Sequence, residues 1–244
     1  MKMFRKLLCA ALAVALIAVT AAGALAAAVD QTLYRTNSEG TLYDYVYLQQ
    51  VDAGSNITGV SSSNTKVMKP VSLNRGTNSQ SVYTYEDGKT QKTKSYSAYL
   101  YVKLLKKGKA TLKYTVDKTK YTRTYQVKNY VNPLSSLVLT GVGTTNLKSK
   151  FAKYNFVSAT LKKNAKAGKV KAKAASGWKI RSVEWQDCKN NTRYLYSNGG
   201  AGASSVSLNV PKMLKSGYYN VTVRCVNTAD KGELYVEYEI GSWY

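Results

Sequence analysis

Few residues of this sequence could support catalysis, and their types already exclude most mechanisms. The 244-residue chain contains no histidine, which excludes Ser-His-Asp and Cys-His catalysis and removes the commonest side-chain ligand of zinc and copper. Ser63 and Lys66 stand in an S-x-x-K string, the spacing of a serine nucleophile with a lysine base. Such strings arise by chance in a chain rich in serine and lysine, and serine and asparagine also suit a turn here. We therefore do not expect Ser-Lys catalysis.

Carboxylate pairs that could hydrolyse a glycosidic bond are equally scarce. The close pairs are Glu86 with Asp87 and Glu184 with Asp187. Glu86 and Asp87 precede a glycine in a hairpin-turn sequence. Glu184 alternates with Trp185 on a predicted strand and so faces solvent. Because the acidic residues also lack calcium-loop spacing, we expect no enzyme activity, no metal site and no cofactor; hydrolysis by Glu184 and Asp187 is the catalytic alternative.

Cationic side chains can bind a polyanion, and they are the most unusual feature of the sequence. The chain has 36 Lys and Arg against 13 Asp and Glu, a formal charge of +23, and fifteen cations without one acid lie between Lys118 and Arg181. Lysines alternate in 169–173, which places them on one face of a strand. The alternative is a solvated lysine face that protects a sheet edge. The candidate polyanion-binding residues are Lys162, Lys163, Lys166, Lys169, Lys171 and Lys173.

Tyrosine is the other abundant side chain with binding chemistry. The sequence has 21 tyrosines and three tryptophans, and exposed rings of this kind, apolar with a polar tip, can stack on sugars. Tyrosine is also common on pleated, half-buried strands, where it needs no ligand. The alternative ligand is therefore a neutral glycan, docked on Tyr83, Tyr85, Tyr99, Tyr101 and Trp178.

Strands must position these residues, because the sequence alternates with period two and almost lacks helical periodicity. In 110–116 the apolar side chains are Ala110, Leu112, Tyr114 and Val116, with polar residues between them. Residues 43–47 alternate in the same way, and turn sequences ending in glycine separate such runs. This pattern predicts an all-β fold built of β-sandwiches.

Two boundaries divide the chain. Residues 1–28 have a cationic start, an apolar stretch and a run of small residues, which is the pattern of a cleaved signal peptide; an uncleaved membrane anchor is the alternative. A proline at 133 favours a short, stiff connection after a predicted strand. We predict a signal peptide over 1–28 and two tandem immunoglobulin-like β-sandwiches, over 29–131 and 132–244, because about a hundred residues is the ordinary size of such a domain. The mature product is then secreted or held non-covalently at a bacterial surface, without a transmembrane span.

The first predicted domain contains three recognisable motifs. They are ITGVSSSNTKV at 57–67, KGKATL at 107–112, and a closing strand over 121–127 that is followed by Asn-Pro-Leu. Together they resemble the bacterial immunoglobulin-like domains of the intimin and invasin type, with Gly59 in place of the usual serine and a Tyr- and Lys-rich insertion at about 74–101. The second domain resembles bacterial surface sandwiches more loosely. The resemblance implies extracellular adhesion or spacer roles and no catalysis.

Cys188 and Cys225 are the two cysteines of the predicted mature chain, and both lie in the second domain. An even number of cysteines in a secreted protein favours a disulfide. Trp185 and Cys225 resemble the strand C tryptophan and strand F cysteine of immunoglobulin domains, which implies a bridge from Cys188 to Cys225. The odd step from Trp185 to Cys188 supports the alternative of two separate thiols. The same resemblance makes Tyr219 either a tyrosine corner or an ordinary core residue.

These features predict a non-catalytic, exported adhesion or cell-envelope module that binds anionic extracellular polymers through its lysines. The expected partner is an anionic cell-wall polymer or glycan, or another surface protein. Predicted export excludes intracellular nucleic acid as a partner. Docking of a neutral glycan on exposed rings is the alternative function.

Overall fold

The computed structural model describes residues 29–36, 43–84, 90–143, 145–197 and 202–241, with the backbone alone for 43, 77–84 and 90–93. The predicted signal peptide and the pair Glu86 and Asp87 lie outside the described residues. No helix in the described part is long and apolar enough to cross a membrane.

The first sandwich consists of β1 (Gln31–Arg35), β2 (Tyr43–Asp52), β3 (Ile57–Ser62), β4 (Met68–Thr84), β5 (Thr90–Leu104), β6 (Gly108–Val116) and β7 (Thr119–Asn129). The second consists of β8 (Leu134–Leu139), a short 3₁₀ helix (Leu147–Phe151), β9 (Phe156–Ala159), β10 (Gly168–Ala174), β11 (Trp178–Asp187), β12 (Thr192–Ser197), β13 (Ser205–Val210), β14 (Tyr218–Asn227) and β15 (Glu233–Gly241).

The first sandwich has the strand order of an immunoglobulin domain. One sheet has the order β1-β7-β6-β3 and the other has the order β2-β5-β4. β1 runs parallel to β7, and the other strand pairs are antiparallel. When β1 to β7 are taken in turn as strands A′ to G, these are the A′GFC and BED sheets of that fold.

The second sandwich repeats this arrangement with one more edge strand. Its sheets have the orders β13-β10-β8 and β12-β11-β14-β15-β9, and β9 runs parallel to β15. They correspond to an EBA sheet and a C′CFGA′ sheet, in which C′ is a strand that variable-type domains add. The predicted all-β fold of two tandem immunoglobulin-like β-sandwiches is confirmed.

Residues 74–84 and 90–101, the described parts of the predicted insertion, lie on β4 and β5, which pair as the two strands of a long hairpin. β4 and β5 stay paired as far as Thr84 and Thr90. β2 pairs with β5 only as far as Asp52 and Ser95. β4 and β5 are therefore strands D and E of the fold, and their paired outer parts extend past β2.

Each sandwich buries the inward residues of its strands in a core of its own. In β6 the four residues Ala110, Leu112, Tyr114 and Val116 are buried, and the residues between them are not. The alternation predicted for 110–116 is therefore confirmed. Because one face of β6 is apolar, a single register keeps its apolar residues inside, and this register places both lysines and both threonines of the strand outward.

Trp185 and Tyr219 pack against each other in the second core. Trp185 is buried on β11 and stacks on Tyr219 at the start of β14, with ring centroids 5.4 Å apart. The hydroxyl of Tyr219 accepts a hydrogen bond from the backbone N–H of Leu214 at 2.7 Å. This contact back to the preceding loop is that of a tyrosine corner.

Both cysteines are free, so the predicted Cys188–Cys225 disulfide is wrong. The β11–β14 register gives the reason, since Cys225 lies opposite Ile180. The N–H of Cys188 instead bonds the carbonyl of Tyr218 at 2.9 Å, at the other end of β14. That end lies roughly 23 Å along the strand from Cys225, whereas a disulfide joins Cα atoms within about 7 Å. Burial also raises the pKa of the Cys225 thiol to about 12, so this thiol stays protonated and inert at neutral pH.

Tyr34 links the two sandwiches. It lies on β1, but its ring packs into the core of the second sandwich, 5.3 Å from the ring of Trp178 between centroids. Its hydroxyl donates to a carboxylate oxygen of Asp230 at 3.2 Å, and Lys128 of β7 forms an ion pair with the same carboxylate at 2.6 Å. Burial acts to raise the pKa of Asp230, but hydrogen bonds from Lys128 and a backbone N–H hold it below its ordinary value. These four residues are called the joint below.

Candidate functional site

The predicted lysine row lies on the outward side of a central strand. β10 pairs with β13 on one side and with β8 on the other. Its residues Val170 and Ala172 are buried, whereas Lys169, Lys171 and Lys173 are exposed. Alternate residues of such a strand lie about 6.8 Å apart, so the three side chains leave the sheet in a row. Because β10 has a partner on both sides, the edge-protection alternative does not apply to these lysines.

The sheet that carries this row contains no acidic residue, since none occurs in the sequences of β8, β10 and β13. Small polar residues flank the row, with Asn209 opposite Lys169 and Ser207 opposite Lys171. The second sandwich thus has one cationic side and one side of mixed charge. Its described acidic residues lie on β11, β15 and the turn between β14 and β15: Glu184, Asp187, Asp230, Glu233, Glu237 and Glu239.

The other three predicted lysines precede β10. Lys162, Lys163 and Lys166 are all exposed in the segment between β9 and β10. Lys166 comes three residues before Lys169, so this segment continues the cationic surface beyond the start of the strand. The outward side of β8, β10 and β13 together with this segment is called the lysine face.

Two lysines that the sequence prediction missed lie beside the lysine face. A bridge between Ala165 and Met213 brings the segment after β13 against the segment before β10. The side-chain oxygen of Asn164 also accepts a hydrogen bond from the backbone N–H of Lys215 at 2.8 Å. Lys212 and Lys215 are both exposed. Nothing in the local sequence links them to the earlier lysines, because only the fold brings the two segments together.

The predicted glycan-stacking residues differ in their exposure to solvent. Trp178 is only 6% exposed and packs against Tyr34, so a stacking role for Trp178 is wrong. The position of Trp178 directly after a turn glycine did not predict that Tyr34 of β1 packs against it. Tyr99 and Tyr101 lie half-buried on the outward side of β5. The side chain of Tyr83 and the whole of Tyr85 lie outside the described residues.

Two further tyrosines stand beside Tyr99 and Tyr101. The β2–β5 register pairs Tyr45 with Tyr101 and Tyr47 with Tyr99. Tyr45 is 57% exposed and Tyr47 is 44% exposed. The outward side of β2, β5 and β4 with these four rings is called the tyrosine face. Alternation in 43–47 predicted that Tyr45 and Tyr47 share a side of their strand, but which strand lies next to it could not be read from that pattern.

The side chains that were considered for catalysis make hydrogen bonds or ion pairs with neighbouring strands and turns. Ser63 Oγ accepts a hydrogen bond from a backbone N–H of β6 at 2.9 Å. Glu184 forms an ion pair with Arg193 of β12 at 3.6 Å. Asp187 accepts hydrogen bonds from two backbone N–H groups of the turn that follows it. Within the described ranges, no group of three His, Cys, Asp or Glu side chains is placed to hold a metal ion.

No protein-family model matches this chain, and no curated protein sequence matches it. A chimeric titin Z1Z2-Z1Z2 tandem is similar at 13% identity over 86% of this chain and 93% of that chain, with a TM-score of 0.22. Domains 4 and 5 of the S-layer protein SbsC are similar at 20% identity over 79% of this chain and 74% of that chain, with a TM-score of 0.19. Because these TM-scores are low, strand order and sheet membership are what identify the immunoglobulin-like fold.

A groove of about 340 Å³ lies between the two sandwiches beside the joint. Tyr34, Tyr45, Glu233 and Tyr235 line it together with Asp44. The carboxylate of Asp44 accepts a hydrogen bond from the backbone N–H of Tyr45 at 2.7 Å. Burial nevertheless raises the pKa of Asp44 from 3.8 to about 6. The fold therefore disfavours the ionised form of this carboxyl group.

Replacing Asp44 by asparagine is expected to stabilise the protein at pH 7 by about 2–3 kcal/mol, since each pKa unit corresponds to about 1.4 kcal/mol. Below about pH 4 the carboxyl group is protonated in both the folded and the unfolded chain. Between about pH 4 and 6 the carboxyl group keeps its proton in the folded chain and has lost it in the unfolded chain. The free energy of unfolding of the natural protein therefore falls as the pH rises from 4 to 6. The Asp44→Asn variant has no carboxyl group at this position, so its free energy of unfolding does not fall for this reason. Urea unfolding at pH 4, 5, 6 and 7 measures it, with Asp52→Asn as an exposed control on the same strand. A lower stability of Asp44→Asn at pH 7 would contradict the expectation.

Proposed function

We propose that this protein is a non-catalytic, exported surface module that binds anionic extracellular polymers through the lysine face. An immunoglobulin-like tandem suits adhesion or spacing at a surface. The resemblance of 57–67 and 107–112 to intimin- and invasin-type domains supports a bacterial adhesion role. The signal-peptide pattern of 1–28 supports export. Export makes an anionic cell-wall polymer or an acidic glycan, rather than intracellular nucleic acid, the expected ligand.

The separation of charge in the second sandwich carries this proposal. The strands of the lysine face contain three evenly spaced lysines and no acid. An anionic chain laid along β10 could therefore contact successive ammonium groups without meeting a carboxylate. Each contact releases condensed counterions from the polymer, which favours binding at low salt. Removal of residues 1–28, which contain three cations and no acid, leaves a net charge of 23 − 3 = +20, and this charge adds long-range attraction that raises the rate of association.

The loop lysines extend the contact beyond the strand. Lys166 and Lys212 lie on neighbouring segments joined by the bridge between Ala165 and Met213. A polymer that follows β10 toward its start would meet these lysines next. The proposed site is therefore an open track for a chain rather than a pocket for a small molecule.

Co-sedimentation with isolated Gram-positive cell walls tests this function. Walls with and without teichoic acid are compared at about 50 and 500 mM salt. Because an anionic single chain loses about 0.7 decades of affinity per contact for each decade of salt, three to four contacts predict a loss of roughly 10²- to 10³-fold. We expect binding that needs the teichoic acid and weakens by this amount.

Two results would overturn the proposal. Binding that persists at 500 mM salt would assign the interaction to rings or hydrogen bonds rather than to ammonium groups. An absence of binding at 50 mM would direct the search to another surface protein as the partner.

A further inference from the structure

The tyrosine face is a second surface with binding chemistry, on the other sandwich. The rings of Tyr45 and Tyr101 lie 4.5 Å apart between centroids, and those of Tyr47 and Tyr99 lie 5.5 Å apart. The pairs stand on successive outward positions of β2 and β5, so four rings form one aromatic surface. The outer rings, Tyr45 and Tyr47, are the more exposed members of the two pairs.

Burial in the core does not account for these rings. The opposite side of the same strands already supplies core residues such as Val46, Leu48 and Leu100, all of them buried. Cross-strand aromatic pairs contribute about 0.5–1.5 kcal/mol each, which explains the contact within a pair. It does not explain two adjacent pairs that keep their outer rings in water, and exposed apolar clusters of this kind mark binding surfaces.

Cations lie at one end of the tyrosine face. The β4–β5 register places Lys69 directly opposite Lys103, on the positions next to the Tyr45–Tyr101 pair. Lys69 is exposed, so this end of the tyrosine face presents an ammonium group that an anionic ligand can reach.

Hydrogen-bonding side chains lie at the other end and along one side. The Ser97 hydroxyl donates to the side-chain oxygen of Gln50 at 3.1 Å, and the amide of Gln50 donates to the Ser95 hydroxyl at 2.8 Å. On β4, Ser72 faces Tyr101 and Asn74 faces Tyr99. The rings are thus bordered by hydroxyl and amide groups on two sides and by ammonium groups on a third.

We infer that the tyrosine face binds a polysaccharide whose sugars carry carboxylates. A sugar ring has an apolar C–H face and a rim of hydroxyl groups, which match an aromatic ring and the polar border beside it. A carboxylate on a neighbouring sugar lies within reach of Lys69 and Lys103, so the charge of the ligand complements that of the site. This site shares no strand with the lysine face, which belongs to the other sandwich, so variants of one surface leave the other unchanged.

The test uses the full-length protein with Lys169, Lys171 and Lys173 replaced by threonine, so that the lysine face contributes little. Isothermal titration calorimetry measures binding of polygalacturonate and of its methyl ester, which keeps the rings but loses the charges. Tyr45→Thr with Tyr47→Thr is expected to weaken binding of both polymers by tenfold or more, because the C–H faces of the sugars lose the aromatic surfaces on which they pack, and buried apolar area contributes about 25 cal/mol per Å². Lys69→Thr is expected to weaken binding of polygalacturonate severalfold and to leave binding of the methyl ester unchanged.

Tyr154→Thr with Tyr194→Thr is the matched control, since both rings are exposed on the second sandwich and neither lines the groove beside Tyr45. Circular dichroism melts check that each variant is folded. The inference is overturned if the Tyr45 and Tyr47 variant binds as tightly as its background, if the control weakens binding equally, or if the background binds neither polymer. Teichoic acid binding by the protein with an intact lysine face separates these outcomes from a failure of the proposed function.

Discussion

Threonine at positions 169, 171 and 173 together is expected to weaken binding to teichoic acid by roughly 10²-fold at 50 mM salt. Three lost contacts lower the slope of log K against log salt by about 2 units, at about 0.7 per contact. At 500 mM salt the affinities of the variant and the natural protein for teichoic acid are expected to differ far less, because the release of counterions contributes less to binding at high salt. Equilibrium binding over a salt series measures both the affinity and the slope.

The folded structure is expected to survive this change. The backbone groups of β10 pair with β8 and β13 independently of the outward side chains, and threonine suits a strand at least as well as lysine does. The melting temperature is therefore expected to stay within about 2–4 °C, since exposed substitutions rarely change stability by more than about 0.5 kcal/mol.

A charge-matched control separates the lysine row from net charge. Lys113→Thr, Lys118→Thr and Lys120→Thr remove three exposed lysines from the first sandwich. This control is expected to lower the association rate slightly and to leave the salt slope near its original value. Equal losses in the two triple variants would mean that the polymer responds to total charge and not to the lysine face.

Replacing Tyr34 by alanine is expected to destabilise the second sandwich by about 3 kcal/mol, although Tyr34 belongs to the first. The cost is that of emptying an aromatic site in a core. The ring is 5% exposed and is packed against Trp178. For a domain of about a hundred residues this lowers the midpoint of thermal unfolding by about 10 °C or more. Tryptophan fluorescence reports that transition, because all three tryptophans lie between positions 178 and 243.

Smaller changes at the joint provide the controls. Tyr34→Phe keeps the ring and loses the hydrogen bond to Asp230, at a cost of about 1 kcal/mol. Lys128→Ala removes a partly exposed ion pair, which is expected to contribute at most about 1 kcal/mol. If Tyr34→Ala shifts the fluorescence transition no further than Tyr34→Phe does, the ring does not hold the two sandwiches together.

Period-two alternation predicted the strands and their outward residues, because a strand with one buried face has only one register that keeps apolar residues inside. Residues 110–116 and the lysines of 169–173 followed directly from it. The same pattern carries no information on which residues of two strands lie opposite each other along their length. The expected bridge from Cys188 to Cys225 failed for that reason, since seven strand positions separate the residue opposite Cys188 from Cys225.

Contacts between distant segments were the other information missing from the sequence. The residues next to Trp178 in the sequence do not predict that it is buried, and the ring of Tyr34, which packs against it, is far away in the chain. Lys212 joins the lysine face through the bridge at Met213, and Tyr45 joins the tyrosine face through β5. In each case the residue type predicted the kind of contact that the side chain can make. Pairing between distant segments decided whether that side chain lies at a binding surface.

The parallel pairing of β1 with β7 determines how the first sandwich responds to mechanical force. Five consecutive residues, Gln31 to Arg35, lie beside Tyr125 to Asn129 in the same direction. A pull on the two ends of the sandwich draws β1 backward and β7 forward along a common axis. Every hydrogen bond of the pair is then loaded at once, in shear, instead of breaking one after another as in a peeled hairpin. The parallel pairing of β9 with β15 repeats this geometry, so tension along the chain meets a sheared strand pair in each sandwich.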